Sequence, residues 1–407
     1  MEYGLLGKEL SYSFSKDIHE MLGAYSYQLL PTAPEDLPSF MEARDFLGLN
    51  VTIPYKREVI PYLDVLDETA AGIGAVNTIY FRDGKMHGTN TDYTGFLFMA
   101  DRCGIDFSGR CVLICGTGGA SLMAQKAVAD RGAAEVLVAG RKGPLTYDRL
   151  PRGVDIIVNT TPLGTYPGNG RQAVDLTRFD HPQGVLDLIY NPQKSALLLQ
   201  AEEMGLRFSG GLPMLVAQAT AAAGYFTGED IYQRENERII KALQDRQRNI
   251  VLVGMPGSGK TTIGRELASA LSLKFVDTDE VLAARAGKPA GRVIEDSGEE
   301  YFRGLESEII RSCTAEHGQV IATGGGAVLR QENRRAMRQN GPVIFIERDI
   351  TQLPTEGRPL SRDLEEMYQK RLPLYHSCSD FTLANNGPLN DSIQKILATL
   401  SSRESNI

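Results

Sequence analysis

Cysteine is scarce in this chain: five in 407 residues, an odd count with no paired CxxC spacing. That excludes a disulfide framework and argues against a thiolate metal cluster. Cys111 and Cys115 sit in an apolar, strand-like run and read as reduced structural residues. Long hydrophobic runs are missing too. None approaches the ~18 residues of a membrane span, and the opening MEYGLLGKELSYS has no signal-peptide pattern. A cytoplasmic protein without membrane contact is the expectation. There is no basic cluster, and the net charge of −8 speaks against a nucleic-acid partner. Low-complexity tracts and repeats are also lacking. What remains is an ordinary soluble composition, 42% hydrophobic and 23% charged, with a length suited to two or three domains.

One stretch organises the rest. Asn249 to Thr262 reads NIVLVGMPGSGKTT. The run Ile250 to Val253 predicts a buried parallel strand, and Ile263, Leu267 and Leu271 predict an amphipathic helix. Between them stands the full P-loop pattern: Gly254, Gly257, Ser258, Gly259, Lys260, Thr261 and Thr262. Glycines let backbone N–H groups curl around phosphate oxygens, and the helix N-terminus adds partial positive charge. Lys260 is placed to reach the β- and γ-phosphates of ATP, and Thr261 to hold Mg²⁺.

Residues 1 to about 95 alternate strand-like and helical runs and carry three polar clusters. These are Ser11 to Lys16 followed by His19, Gly48 to Lys56, and Gly74 to Thr78 followed by Asn90-Thr91-Asp92. Together they offer hydroxyls, amides, one ammonium and one carboxylate, a pocket for a small polyhydroxylated molecule in which Lys56 and Asp92 form a proton-transfer pair. In this order, SxS, NVTIPxK, GAVNT and NTD resemble the substrate domain of shikimate dehydrogenase. The resemblance implies that Ser13 and Ser15 bind the substrate carboxylate. Thr52 and Asn77 would hold ring substituents, and Lys56 and Asp92 would flank the reacting oxygen. Lys16 and Glu20 depart from the family's usual proline and asparagine.

From about 96 to 212, Val112-Leu113-Ile114 leads into Gly116, Gly118, Gly119, Ala120 and Ser121, then an alanine-rich helix and the strand Val136 to Val138. This is a βαβ dinucleotide site with Ser121 in place of the last glycine. Arg141 and Lys142 follow the second strand where an NAD site would want an acid, so NADPH is expected over NADH. Asn159 and Tyr190 close two further strand ends. In the family such a tyrosine lies near the nicotinamide, and Thr165 replaces a common methionine. Gly210 to Ala219 also matches; the resemblance implies that Gly211 borders the cofactor and that Gln218 touches substrate. It extends from residue 1 to about 245.

No Gly/Ser/Pro-rich linker precedes the P-loop strand; a charged helical stretch ending at Arg248 does. Beyond the P-loop come an apolar strand ending in Asp277 and Asp279, Gly298-Glu299 with Phe302-Arg303, and the triple glycine Gly324 to Gly326. Arg358-Pro359-Leu360 and Arg371 to Tyr375 come next. This ensemble resembles shikimate kinase across most of 249 to 400. It implies that Asp279, Arg303, Gly325 and Arg371 bind shikimate, that Asp277 and Thr261 serve Mg²⁺, and that Lys260 and the lid residue Arg358 stabilise the transferring phosphoryl group and contact ATP. The stretch between Ile346 and Arg358 is short for the family.

The expected architecture is α/β. A substrate domain (1–95 and 213–247) and a Rossmann NADP domain (96–212) precede a P-loop kinase domain with a parallel sheet (249–407). The expected function is bifunctional: NADPH-dependent reduction of 3-dehydroshikimate to shikimate, then ATP-dependent phosphorylation to shikimate 3-phosphate. The partners are small molecules, with a homodimer through the dehydrogenase half also open. Three alternatives stand beside it: an active dehydrogenase with an impaired kinase half, a non-catalytic ligand sensor, and quinate as the oxidised substrate.

Overall fold

The computed structural model describes residues 2–10, 14–230, 232–353 and 364–404. The short apolar runs pair into three sheets. In the first, the edge-to-edge order is Tyr27–Pro31, Tyr3–Gly7, Gly48–Val51, Thr78–Arg82, Lys85–Thr89 and Val65–Leu66. Thr78–Arg82 runs antiparallel to both of its neighbours. It turns into Lys85–Thr89 through Asp83-Gly84, both at positive φ (51° and 71°), the backbone a tight hairpin demands. Leu6, Met41, Leu49, Val76, Ile79 and Met86 form the core on one side of this sheet. Phe14 and Ile18 of the helix Phe14–Leu22 pack with Leu212 and Val216 of the helix Leu212–Thr227 in another cluster.

The second sheet is wholly parallel, in the order Arg207–Ser209, Gly184–Asp187, Ile156–Asn159, Cys111–Cys115, Glu135–Ala139. Its central strands are apolar without alternation because both faces are covered. The chain leaves Cys111–Cys115 in one direction and returns to Ile156–Asn159 on the other side. The crevice at that reversal lies outside the carboxyl ends of the strands, where such sheets bind dinucleotides. The third sheet is also parallel, in the order Lys274–Asp277, Gln319–Ala322, Ile250–Val253, Val343–Glu347, Phe381–Ala384.

Two compact units result, residues 1–191 with 197–243, and residues 192–196 with 244–407. The first contains the first two sheets. The expected boundary at 95–96 falls inside the helix Thr91–Arg102, so one helix serves both layers. Likewise the division at 243–244 falls inside the helix Asn236–Gln247 rather than after it. Among the described residues no helix is long and apolar enough to cross a membrane. All five cysteines are free thiols.

The helices Thr91–Arg102 and Leu212–Thr227 lie unusually close at Gly95. A Cβ there would stand 2.5 Å from the Met214 carbonyl oxygen and 3.0 Å from Gln218 Cβ. Gly95→Val gains a few tenths of a kcal/mol of helix propensity at most. It must then push a backbone carbonyl aside, which costs about 1–3 kcal/mol. The clash wins, and chemical denaturation of the first unit is expected to show a lower midpoint.

A buried polar group sits in the same unit. His19, on Phe14–Leu22, is fully buried and stacks on Tyr27 with centroids 4.0 Å apart. Burial pulls its pKa down to about 3, against the opposing effect of its hydrogen bond to Asn50 Oδ1. The unfolded chain takes up this proton near pH 6.5 while the folded chain does not. Stability from this group is therefore lost as pH falls from about 6.5 toward about 3. His19→Gln removes that contribution. The stability gap between parent and variant is expected to change across this window and to be constant above pH 7, as read by denaturation at each pH.

Candidate active sites

The strand Gly48–Val51 runs off the first sheet into Thr52 and then Lys56. Asn50 and Thr52, two residues apart, share a face, and both line a cavity of about 290 Å³. That is the small end of the ~300–1,000 Å³ usual for small-molecule sites. Ser15, Lys56, Asn77, Asp92, Tyr190 and Gln218 complete its polar wall, with Leu5, Leu10 and Leu215 between them. Seven of the sequence-predicted substrate residues thus meet in one cavity; Ser13 lies outside the described residues. The Lys56 ammonium donates to Asp92 Oδ2 at 2.5 Å. Asn77 Nδ2 donates to the other carboxylate oxygen at 2.9 Å and approaches Gln218 Oε1 at 3.4 Å. Asp92 stands in the first turn of Thr91–Arg102, where helix polarity favours a negative group. A cation and a carboxylate in contact, half-buried at 26% and 17% side-chain exposure, can move a proton to or from an oxygen held beside them. Glu9 and Asn50 also line the cavity but were not singled out. Asn50 carried a signal in its period-two spacing from Thr52. The two family departures, Lys16 and Glu20, form an exposed ion pair at 3.6 Å on one helix.

The glycine fingerprint lies at the reversal crevice of the second sheet. Gly116 has φ +116°, and a Cβ on it would meet Thr160 Oγ1 at 2.5 Å. Gly118 caps the helix Gly119–Asp130, with Gly119 and Ala120 in its first turn. A bare helix N-terminus behind a glycine turn fits a pyrophosphate. Arg141 and Lys142 are exposed just past Glu135–Ala139, which fits a further phosphate. Asn159 is different: it is fully buried, donating to Asp187 Oδ1 at 2.9 Å and accepting from the Thr161 hydroxyl at 2.7 Å. Its side chain holds the loop to Thr161. Gly211 caps Leu212–Thr227 against the Leu188 carbonyl.

In the second unit, Gly254, Gly257 and Gly259 all take positive φ, at 149°, 84° and 97°, a curled backbone that glycine adopts without strain. Lys260 donates to the carbonyls of Gly254 and Met255 at 2.9 and 2.8 Å. Ser258 Oγ is buried without a hydrogen-bond partner, and such an orphan fits a loop that waits for a phosphate oxygen. Thr261 and Thr262 open the helix Lys260–Leu271. The Thr261 hydroxyl donates to Asp277 Oδ2 at 2.8 Å, a hydroxyl–carboxylate couple suited to Mg²⁺ carried by nucleotide phosphates. Asp279 is not at a strand end as expected. It lies in the first turn of the helix Thr278–Ala286, where Asp277 caps its N–H. Around the triple glycine the chain closes up. A Cβ on Gly324 would touch Asp279, one on Gly325 would touch Pro256 of the P-loop, and one on Gly326 would touch Arg303. Arg303 is 6% exposed and donates to Glu306 at 2.8 Å and Glu299 at 3.2 Å. Burial raises the Glu306 pKa against the pull of Arg303. Arg371 is buried on Leu364–Cys378, and the Tyr375 hydroxyl donates to the Gly325 carbonyl at 2.6 Å. Arg358 lies outside the described residues.

Similarity to known proteins divides along the same line. Residues 5–79 match the model of the shikimate dehydrogenase substrate binding domain, and residues 256–401 that of shikimate kinase. The chain is 35% identical over 255 residues to a shikimate dehydrogenase (NADP(+)) of Clostridium beijerinckii, covering 57% of this chain and 91% of the relative. It is 36% identical over 260 residues to that of Halothermothrix orenii, covering 55% and 90%. Among solved structures, a chorismate mutase/shikimate 5-dehydrogenase fusion from Clostridium acetobutylicum aligns with TM-score 0.57 at 34% identity, covering 59% of this chain and 96% of that one. The Thermus thermophilus shikimate 5-dehydrogenase, solved with NADP(H) and shikimate, aligns with TM-score 0.52 at 30% identity, covering 58% and 98%. The chain is an enzyme of the shikimate dehydrogenase family that carries a shikimate kinase domain behind its dehydrogenase half.

Proposed function

We propose that the first unit reduces 3-dehydroshikimate to shikimate with NADPH and that the second phosphorylates shikimate at its 3-hydroxyl with ATP and Mg²⁺. What carries this reading is a repeated arrangement: each unit sets a polar pocket with fixed cations and carboxylates beside its own nucleotide cradle. NADPH supplies a hydride to the ketone carbon. Lys56 gives a proton to the ketone oxygen as the alcohol forms, and Asp92 holds the Lys56 ammonium against that oxygen. Thr52, Asn77 and Gln218 orient the ring by its hydroxyls, and Tyr190 closes the wall on the cofactor side. In the second unit ATP supplies the phosphoryl group. Arg303 and Arg371 grip the substrate carboxylate, Asp279 orients the attacking hydroxyl and takes its proton, and Lys260 balances charge on the phosphates. Arg303 lies within reach of the triple glycine, and Pro256 of the P-loop packs on Gly325, so this acceptor pocket adjoins the phosphate cradle.

The first assay supplies 3-dehydroshikimate, NADPH, ATP and Mg²⁺ and identifies products by mass. Shikimate 3-phosphate is expected, and shikimate alone would sink the kinase part. Lys56→Ala is expected to lower reduction by about 10²–10⁴-fold and to leave phosphorylation of added shikimate intact. Lys260→Ala should do the reverse, and unimpaired kinase turnover in it would overturn the P-loop role. Arg141→Asp is expected to lower the NADPH-over-NADH preference about tenfold or more, the worth of one charge-assisted hydrogen bond. An unchanged ratio would place the phosphate clamp elsewhere.

A further inference from the structure

We propose that His19 is a positioning residue for the Lys56–Asp92 pair, acting through a chain of hydrogen bonds whose protons all point toward Asp92. This rests on the dehydrogenase reading above. The direction of each bond comes from groups that can only donate or only accept. The Thr91 backbone N–H donates to Asn77 Oδ1 at 2.7 Å, which fixes the Asn77 amide. Its Nδ2 therefore faces Asp92 Oδ1, at 2.9 Å. The Thr78 hydroxyl meets Asn77 Oδ1 and Thr91 Oγ1, each at 3.0 Å. Thr91 Oγ1 itself lies 3.2 Å from that same Asn77 oxygen, so either route ends there. Thr78 Oγ1 accepts from Asn50 Nδ2 at 3.1 Å. The Asn50 amide is fixed in its turn, because Nδ2 also faces the Asn77 carbonyl, which can only accept, at 3.4 Å.

Asn50 Oδ1 is then an acceptor, taking the Tyr27 hydroxyl at 2.8 Å and His19 Nε2 at 3.1 Å. His19 must carry its proton on Nε2. Its Nδ1 is bare and accepts the Tyr25 hydroxyl at 2.6 Å. The run is Tyr25, His19, Asn50, Thr78, Asn77, Asp92, each donating to the next. His19, Asn50, Asn77 and Thr78 are at most 4% exposed, so a broken link leaves a buried group unpaired rather than hydrated. Aligned bonds also polarise one another. A neutral imidazole suits this place, since one nitrogen must donate while the other accepts. Asn50 lines the substrate cavity, so a rotated Asn50 amide would disturb both the cavity wall and the Asn77 hold on Asp92.

Two measurements on the full chain test this. The first compares steady-state reduction of 3-dehydroshikimate in His19→Phe, which keeps a stacked ring but no polar atom, and in His19→Gln, which keeps one donor and one acceptor. His19→Phe is expected to lower kcat about tenfold or more through misplacement of the pair. KM should move less than about twofold, phosphorylation of added shikimate should be unchanged, and His19→Gln should recover most of the loss. A parental kcat in His19→Phe, or an equal loss in both variants, overturns the proposal. The second measurement is ¹⁵N-histidine NMR of the unsubstituted protein, with the His19 signal assigned by its loss in His19→Gln. A proton on Nε2 is expected, and a proton on Nδ1 overturns the chain even if His19→Phe fails to fold. Absence of reduction by the unsubstituted protein would instead sink the dehydrogenase reading, while the NMR result still decides the direction of the bonds.

Discussion

Asn77 is the point on which the polar cavity of the first unit turns. Its carboxamide takes the N–H of Thr91 at the very start of the helix Thr91–Arg102 and gives a proton to Asp92 one residue later. A helix leaves its first N–H groups without internal partners, and a side-chain oxygen ordinarily supplies one. Here the oxygen comes from Asn77, just ahead of the strand Thr78–Arg82, rather than from the preceding residue, Asn90, whose side chain makes no capping bond. The start of the helix, the placement of the Asp92 carboxylate and the seat of Lys56 are therefore fixed by one amide. Any change that rotates it loses a cap and the hold on Asp92 together.

Both nucleotide cradles solve the same problem with the same means. A phosphate needs several donors at close range, and backbone N–H groups supply them only where no Cβ intervenes. Gly116 and Gly254 stand at φ +116° and +149°, each at the end of a buried strand and just ahead of a helix. The differences lie in where each cradle keeps its cations. The first has no lysine in its turn, and the exposed Arg141 and Lys142 stand at the end of the next strand. The second puts Lys260 inside the loop, 7% exposed and already bonded to two carbonyls. A cation there can transfer from carbonyls to phosphate without crossing water, which suits charge that develops during a reaction rather than on binding.

Most of this architecture was legible in the residues because local signals agreed. Strand, glycine turn and apolar helix stripe around Gly254 correspond to Ile250–Val253 and Lys260–Leu271. The polar motifs of the first segment do meet in one cavity, since each follows a strand end or opens a helix on the same side of the sheet. Boundaries were harder. A helix shared by two layers, such as Thr91–Arg102, gives no compositional break, and Asp279 read as strand because Phe275 and Val276 are apolar while the Asp277 cap is a side-chain event. The Asn50 to His19 network was not legible at all. Each member has a bland use in a turn or core, and only the fold brings residues 19, 50, 78 and 92 into line.

The surroundings of the triple glycine in the second unit show why arginine recurs there. Arg303 and Arg371 are 6% and 8% exposed, and a buried guanidinium is tolerated only when its charge is met. Glu306, 3% exposed, meets Arg303, and burial raises its pKa against the pull of that guanidinium. Glu299 adds a longer contact from a largely exposed side chain. Arg303 and the carboxylates of Glu306 and Asp279 surround the triple glycine, where a Cβ on any of the three glycines would crowd a neighbour. A guanidinium meets a planar carboxylate such as Glu299 through paired N–H donors. A lysine could supply the charge but not the fixed fork, so the preference for arginine here is geometric as much as electrostatic.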